Sequence, residues 1–99
     1  MAIEIELDNK TKNVLIKVEG AFGFNLVNDF RASYADHLEC DFTVDMRKVD
    51  YIDSAGLGML LNMQSYLDKK NLEIRITNAL PQVKKILLIS RFDKKFIID

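Results

Sequence analysis

The chain has 99 residues, of which 48% are hydrophobic and 29% are charged, and its formal net charge is −1. This length and composition predict one globular domain over residues 1–99, with a single core that buries roughly two-thirds of the unfolded surface. A balanced charge without a basic stripe argues against nucleic-acid binding. The single cysteine excludes an internal disulfide, and no apolar stretch approaches the roughly 18 residues of a membrane span.

The N-terminal segment predicts a β-hairpin. Apolar residues alternate with glutamates over residues 3–7, and alternation resumes over residues 14–18, as is typical of half-buried strands. The polar segment 8–13 between them predicts an antiparallel turn, and Gly20 and Gly23 are expected to end the second strand. The first residues of the chain, in which acids alternate with apolar residues, do not resemble a signal peptide. We therefore expect a cytoplasmic protein without membrane association.

A helix and a short strand are predicted next. Apolar residues recur at helical spacing from Asn25, the predicted N-cap, to about His37. Residues Phe42 to Met46 then form a short apolar segment typical of a strand. A polar loop is predicted to follow it and to lead to Ser54, where the next helix begins.

The second half of the chain alternates helix and strand. Helical spacing continues from Ser54 to about Lys69, and alternation over Leu72 to Ile76 predicts a further strand. Pro81 fits the first turn of another helix, which runs to about Ser90 and precedes the apolar tail 96–98.

This order of elements predicts an α/β fold. Strands separated by helices are joined by crossover connections and lie parallel. We therefore expect a mixed β-sheet, with an N-terminal antiparallel hairpin and then parallel strands, packed with three to four helices. Loops at the carboxyl ends of the strands are expected to carry the function.

Ser54 is the residue that points most directly to a function. It stands where a loop enters a helix, so its hydroxyl is expected to be exposed and open to modification. Gly56 and Gly58 follow within four residues, and we expect them to leave the backbone of the first turn approachable although each lowers helix propensity. The alternative is that Ser54 or Asp53 is only the N-cap of the helix.

A helical wheel of the segment from Ser54 separates a core side from a polar side. The core side is predicted to contain Met59, Leu60, Met63 and Leu67. The polar side is predicted to contain Ser54, Gly58, Asn62, Ser65 and Lys69. Leu57 and Leu61 fall at the boundary, where Leu61 is a predicted partner contact; the alternative is that both leucines pack under neighbouring loops.

The sequence offers little for catalysis or for metal binding. Asp45, Asp50 and Asp53 could gather near one strand end, but we interpret them as solvated loop carboxylates that help to form the Ser54 turn. His37 and Cys40 lack a third ligand, so a surface imidazole and a buried thiol are expected. We predict no metal, no cofactor and no enzymatic activity, since one histidine offers little acid–base chemistry.

One segment resembles a known family signature. Val44 to Met46, then Val49, and above all Tyr51 to Gly58 look like the signature of the STAS domain, the fold of bacterial anti-sigma factor antagonists. The resemblance covers essentially the whole chain, because the predicted order of elements is also that of the family. Ala55 replaces a second Ser or Thr that many members carry, and Arg91 stands where a glycine often precedes the final strand.

The resemblance implies a phosphorylation switch at Ser54. In the family, the matching serine is phosphorylated by a serine kinase that is also the anti-sigma factor, and a PP2C-type, metal-dependent phosphatase reverses this. The unphosphorylated antagonist binds that partner and frees the sigma factor; some single-domain members act through a response regulator. The predicted partner-binding surface comprises Asp53, Ser54, Ala55, Gly56, Leu57, Gly58, Leu61 and Asn62. The alternative is a scaffold module that is not switched, in which Ser54 is only a helix cap.

Overall fold

The computed structural model describes residues 2–37, 39–68 and 73–99, which form three helices and a five-stranded sheet. The strands are β1 (Ile3–Asp8), β2 (Asn13–Phe22), β3 (Asp41–Ile52), β4 (Ile74–Thr77) and β5 (Ile97–Ile98). The helices are α1 (Val27–Ala35), α2 (Ser54–Asp68) and α3 (Pro81–Ile89), with 3₁₀ turns at Phe24–Leu26 and Phe92–Lys94.

The sheet has the mixed topology that the sequence predicts. Its strand order is β1-β2-β3-β4-β5; β1 pairs antiparallel with β2, and every later pair is parallel. The predicted α/β fold class is therefore confirmed, as is the start of α2 at Ser54. The predicted end of this helix at Lys69 and the predicted start of the next strand at Leu72 lie outside the described residues.

Strand β3 is longer than the sequence predicts, because the expected loop after Met46 is part of the strand. Two register shifts against β2 insert one extra residue of β3 each, so that twelve residues of β3 lie beside ten of β2. Each bulge moves the next inward position by three residues instead of two, which places Val49 and Ile52 in the core after Met46. The predicted loop is thus wrong, and only Asp53 separates β3 from α2.

Two further boundaries differ from prediction. Strand β2 continues past Gly20 to Phe22, with Gly20 at φ 89° beside the second register shift, a conformation that favours glycine. Asn25 is not the N-cap of α1, because it lies inside the 3₁₀ turn and the helix begins at Val27 without a side-chain cap.

The core lies between the helices and one face of the sheet. The inward residues of β2, β3 and β4 form one buried cluster with residues of all three helices, including Phe30 of α1 and Leu87 of α3. The predicted core side of α2 is confirmed, since all four of its residues are buried: Met59, Leu60, Met63 and Leu67. Among the described residues, no helix is long and apolar enough to cross a membrane.

Candidate functional site

The first turn of α2 is capped by Asp53. The Gly56 backbone N–H donates to Asp53 Oδ1 at 2.8 Å, and the Leu57 N–H donates to the Asp53 carbonyl oxygen at 3.0 Å. This is the geometry of an N-cap aspartate, which satisfies one of the four N–H groups that a helix start leaves without partners. Asp53 therefore fills the capping role that the sequence assigns to either Asp53 or Ser54.

Ser54 is the first residue of α2, and its side chain is exposed. Within the described residues, its hydroxyl makes no hydrogen bond to another protein group. The N–H groups of Ser54 and Ala55 have no intrahelical acceptor and lie at the positive end of the helix dipole. The hydroxyl is thus accessible and stands where an added anion is electrostatically tolerated.

The end of β2 is packed tightly against this turn, and two glycines make that possible. A Cβ at Gly56 would collide with the Phe22 carbonyl oxygen and lie 2.9 Å from Ile52 Cγ1. A Cβ at Gly23 would lie 2.5 Å from Asp53 Oδ2. Gly56 is buried, so the expectation that it leaves the backbone approachable from outside is wrong. Its lack of a side chain serves packing inside the chain.

Gly58 differs from Gly56 because nothing inside the described chain requires it. Outside its chain neighbours and the backbone of its own helix, a Cβ at this position would meet no atom of the described residues within 4 Å, and its φ is not in the left-handed region. A glycine within a helix still costs about 1 kcal/mol relative to alanine. The bare backbone at Gly58 therefore has no packing reason, which is consistent with close approach by another molecule.

The other predicted surface residues lie along the same stretch of α2. Asn62 is exposed and Leu61 is 36% exposed, so both are accessible to a partner. Ala55 is half-buried, and Leu57 is half-buried and packed against the core. Leu57 therefore matches the alternative of intramolecular packing more closely than Leu61 does.

Two exposed aromatic residues near the α2 start were not predicted as site residues. Phe24 is 78% exposed and follows Gly23, which lies against the Asp53 carboxylate. Tyr51 is 58% exposed and lies opposite Ala21, three residues before Ser54. The sequence signal is limited to the aromatic residue type and to the closeness of Tyr51 to Ser54 along the chain, because the position of Phe24 depends on how β2 pairs with β3. Aromatic residues are enriched at protein interfaces relative to the rest of the surface.

The three aspartates have separate roles. Asp45 is buried, and its Oδ1 accepts from the Arg47 N–H at 3.0 Å and from Asn78 Nδ2 at 3.4 Å. The prediction that Asp45 is a solvated loop carboxylate is therefore wrong. Asp50 is an exposed residue of β3 and Asp53 is the cap. Within the described ranges, no group of three or more His, Cys, Asp or Glu side chains is placed to hold a metal ion. The Cys40 thiol is buried, as predicted.

The sequence places the chain in a family. Residues 5–99 match the profile of the family described as "Mlab, STAS domain". A STAS-domain-containing protein of Pseudomonas aeruginosa strain UCBPP-PA14 is 36% identical over 90 residues, which cover 89% of each chain. The protein belongs to the STAS domain family.

Solved structures agree with this fold. Unphosphorylated SpoIIAA, an anti-sigma factor antagonist, aligns with a TM-score of 0.77 at 17% identity, covering 99% of this chain and 87% of its own. The phosphorylated form of the Bacillus SpoIIAA aligns with a TM-score of 0.76, also at 17% identity, covering 99% and 91%. An anti-sigma factor antagonist from Mycobacterium paratuberculosis aligns with a TM-score of 0.76 at 19% identity, covering 97% of this chain and 84% of its own. At these identities the likeness describes the fold alone.

Proposed function

We propose that this protein is an anti-sigma factor antagonist, a binding module whose affinity for its partner is switched by phosphorylation of Ser54. One observation carries the proposal: Ser54 presents an exposed hydroxyl at the start of α2 that bonds to no other described residue, while Asp53 caps the helix. Because the hydroxyl is not needed for the helix, it is available for modification. The STAS fold, which is shared with antagonists of known structure, supports the same function.

The surface around Ser54 suits contact with another protein. Exposed apolar groups of Phe24, Tyr51 and Leu61 lie on elements that meet at this end of the sheet or continue along α2. Such residues supply contact area, and Gly58 allows a partner backbone to come near. The proposed docking surface therefore combines the Ser54 hydroxyl with exposed apolar groups at this end of the sheet and along α2.

Phosphorylation would act on the partner more than on this fold. A phosphoserine carries about −1.5 to −2 charges and three strong acceptors. If the partner covers Ser54 and offers no cation to the phosphate, that charge must be desolvated beside Asp53. Leaving a charge unpaired in an interface costs several kcal/mol, which is enough to abolish micromolar binding.

The partners implied by this function form a reversible cycle. The unphosphorylated protein binds an anti-sigma factor that is also a serine kinase, and the sigma factor is released. A PP2C-type phosphatase, separate or carried by a response regulator, removes the phosphate. In this cycle the STAS domain is bound and modified and catalyses nothing itself.

Phosphorylation with cellular extract and ATP tests the proposal. The tryptic peptide from Val49 to Lys69 contains both Ser54 and Ser65, so fragment sequencing by mass spectrometry must locate the phosphate. We expect one phosphate on Ser54. The Ser54→Ala variant should remain unmodified, whereas Ser65→Ala, which changes another exposed serine of α2, should be modified like the wild type.

A pull-down with the same proteins separates a switch from a scaffold. Unmodified wild type and Ser54→Ala should both retain the kinase partner, and phosphorylated wild type should not. If phosphorylated and unphosphorylated protein retain the same partner equally, the protein is a binding module that is not switched, and the proposal fails.

A further inference from the structure

In the part of the chain that the structure describes, the outer edge of β1 carries backbone groups without partners. Among the described strands, β1 pairs only with β2, so its other edge is open. The Glu19 N–H donates to the Ala2 carbonyl oxygen at 2.8 Å, which fixes the alternation of this antiparallel ladder: residues 2, 4, 6 and 8 direct their backbone groups to β2. The N–H and C=O groups of Ile3, Ile5 and Leu7 therefore point outward.

The same three residues present apolar side chains beside the open edge. They lie opposite Val18, Ile16 and Val14, which are buried, so their side chains are on the core face of the sheet. Ile5 is nevertheless 45% exposed and Leu7 is 43% exposed. A further strand beside β1 would satisfy the outward backbone groups and cover these two side chains in one step.

Charge determines which strand can occupy this edge. The intervening residues Glu4, Glu6 and Asp8 face the opposite side of the sheet, where the Lys17 ammonium pairs with Glu6 at 2.6 Å. A second copy of β1 that pairs antiparallel aligns its odd-numbered residues with those of the first copy, so each register that overlaps the two strands places acids beside acids. A copy that pairs parallel would turn its apolar side chains to the opposite face of the sheet. Like charges directly opposite each other destabilise a sheet. A second copy is therefore a poor occupant.

We propose that the edge of β1 binds an extended peptide segment of a partner protein that alternates apolar with basic residues. Its apolar residues cover Ile5 and Leu7 on the core face. Its lysines or arginines lie beside Glu4 and Glu6 on the other face, and its backbone pairs with the outward groups of Ile3, Ile5 and Leu7. This surface is the edge of the β1–β2 hairpin that faces away from β3, and the proposal does not depend on Ser54.

A synthetic peptide tests the pairing. The probe is Lys-Val-Lys-Val-Lys-Val-Lys, added to ¹⁵N-labelled full-length protein, with amide hydrogen exchange and chemical shifts read residue by residue. We expect slowed exchange at the outward amides of Ile3, Ile5 and Leu7, with little change at Glu4 and Glu6, whose amides already face β2. Equal effects on odd and even amides would overturn edge pairing.

Two controls separate strand pairing from simple charge attraction. The scrambled peptide Val-Val-Val-Lys-Lys-Lys-Lys has the same composition but no alternation and should not protect the edge amides. The double variant Glu4→Lys, Glu6→Lys should bind the alternating peptide about tenfold or more weakly. Reversal of two exposed acids elsewhere, Glu39→Lys with Asp93→Lys, should change the affinity less than twofold. Equal binding of both peptides, or no binding of either, refutes the proposal. Glu4 and Glu6 would then serve only to prevent pairing at this edge.

Discussion

Asp53 and Ser54 are adjacent in sequence, but only the first has a structural role in the helix start. We predict that Asp53→Ala lowers the free energy of unfolding by about 1 kcal/mol, because the Gly56 N–H loses its acceptor. Asp53→Asn keeps a carbonyl acceptor and should lower the free energy of unfolding much less. Urea titration followed by far-ultraviolet circular dichroism measures both. Ser54→Ala is the matched control and should change stability by less than about 0.5 kcal/mol; a loss equal to that of Asp53→Ala would show that Ser54 caps the helix.

Gly56 and Gly58 lie two residues apart, and their environments predict opposite effects of the same substitution. Gly56→Ala should destabilise the fold by about 2 kcal/mol or more, because the new methyl group collides with the Phe22 carbonyl oxygen. Gly58→Ala should stabilise it by up to about 1 kcal/mol, because the methyl group enters open space and the helix propensity improves. Parallel urea titrations compare the two.

A larger substitution at Gly58 connects this position with partner binding. Gly58→Lys should leave the fold intact and block docking if the bare backbone is covered by the partner. Binding of Gly58→Lys at the affinity of the wild type would contradict the docking surface proposed here, whatever the state of Ser54.

Arg91 has a backbone conformation that favours glycine. It adopts φ 61° in the left-handed region, just before the 3₁₀ turn at Phe92–Lys94. A glycine, which is common at this place in the family, would adopt that conformation without the steric penalty of a side chain. The departure from the family pattern is therefore a local conformational cost and leaves the fold unchanged.

At the scale of elements, strand β3 shows where the sequence is informative and where it is not. Alternation predicts its first half, residues 42–46, and helical spacing predicts α2 and its buried side. The second half was predicted as a loop, because two bulges change the inward spacing from two residues to three. Bulges depend on pairing with β2, which a local pattern does not contain. Phe24 and Tyr51 were missed as site residues for the same reason, since their position near Ser54 depends on how β2 and β3 end together.

The acidic side of β1 yields a prediction about self-association. In the register that places Ile5 opposite Ile5 of a second copy, Glu4 lies opposite Glu6 twice. The single variant Glu4→Lys replaces both repulsions by attractions and makes the strand complementary to itself. We expect this variant to dimerise measurably in sedimentation experiments at concentrations where the wild type is monomeric. Glu39→Lys, with the same change of charge elsewhere, should behave like the wild type; an unchanged monomer for Glu4→Lys would indicate that the edge cannot pair.

The hairpin turn after β1 has a carboxylate with a specific pH dependence. Asp8 Oδ1 accepts from the Lys10 N–H at 2.9 Å and from the Thr11 N–H at 3.3 Å, and these bonds lower the pKa of Asp8 below its ordinary value of 3.8. A carboxyl group with a lowered pKa in the folded state adds stability above the unfolded pKa and loses it as the pH falls through the folded pKa. The loss of stability on acidification below about pH 4 should therefore be smaller in Asp8→Asn than in the wild type. Urea titrations at several pH values test this; identical pH profiles would contradict it.

In the whole molecule, the two proposed surfaces lie on different parts of one fold. The helices cover one face of the sheet and share a single core with it, and Ser54 lies where β2, β3 and α2 meet. The open edge of β1 belongs to the outermost strand. Two partners could thus contact the domain at different sites, one under the control of Ser54 and one not.

This arrangement predicts that charge on Ser54 changes binding without changing the fold. In Ser54→Asp the carboxylate gains from the helix dipole by about 0.3 to 1 kcal/mol and is opposed by the adjacent Asp53 carboxylate, so the free energy of unfolding should change by less than about 1 kcal/mol. Affinity for the kinase partner, measured by titration calorimetry, should fall about tenfold or more, because the charge must be desolvated in the interface. Ser65→Asp adds the same charge at another exposed serine of α2 and should affect affinity much less. A variant at Ser54 that binds like the wild type, or one that loses binding only because it unfolds, would contradict a switch that acts at the surface.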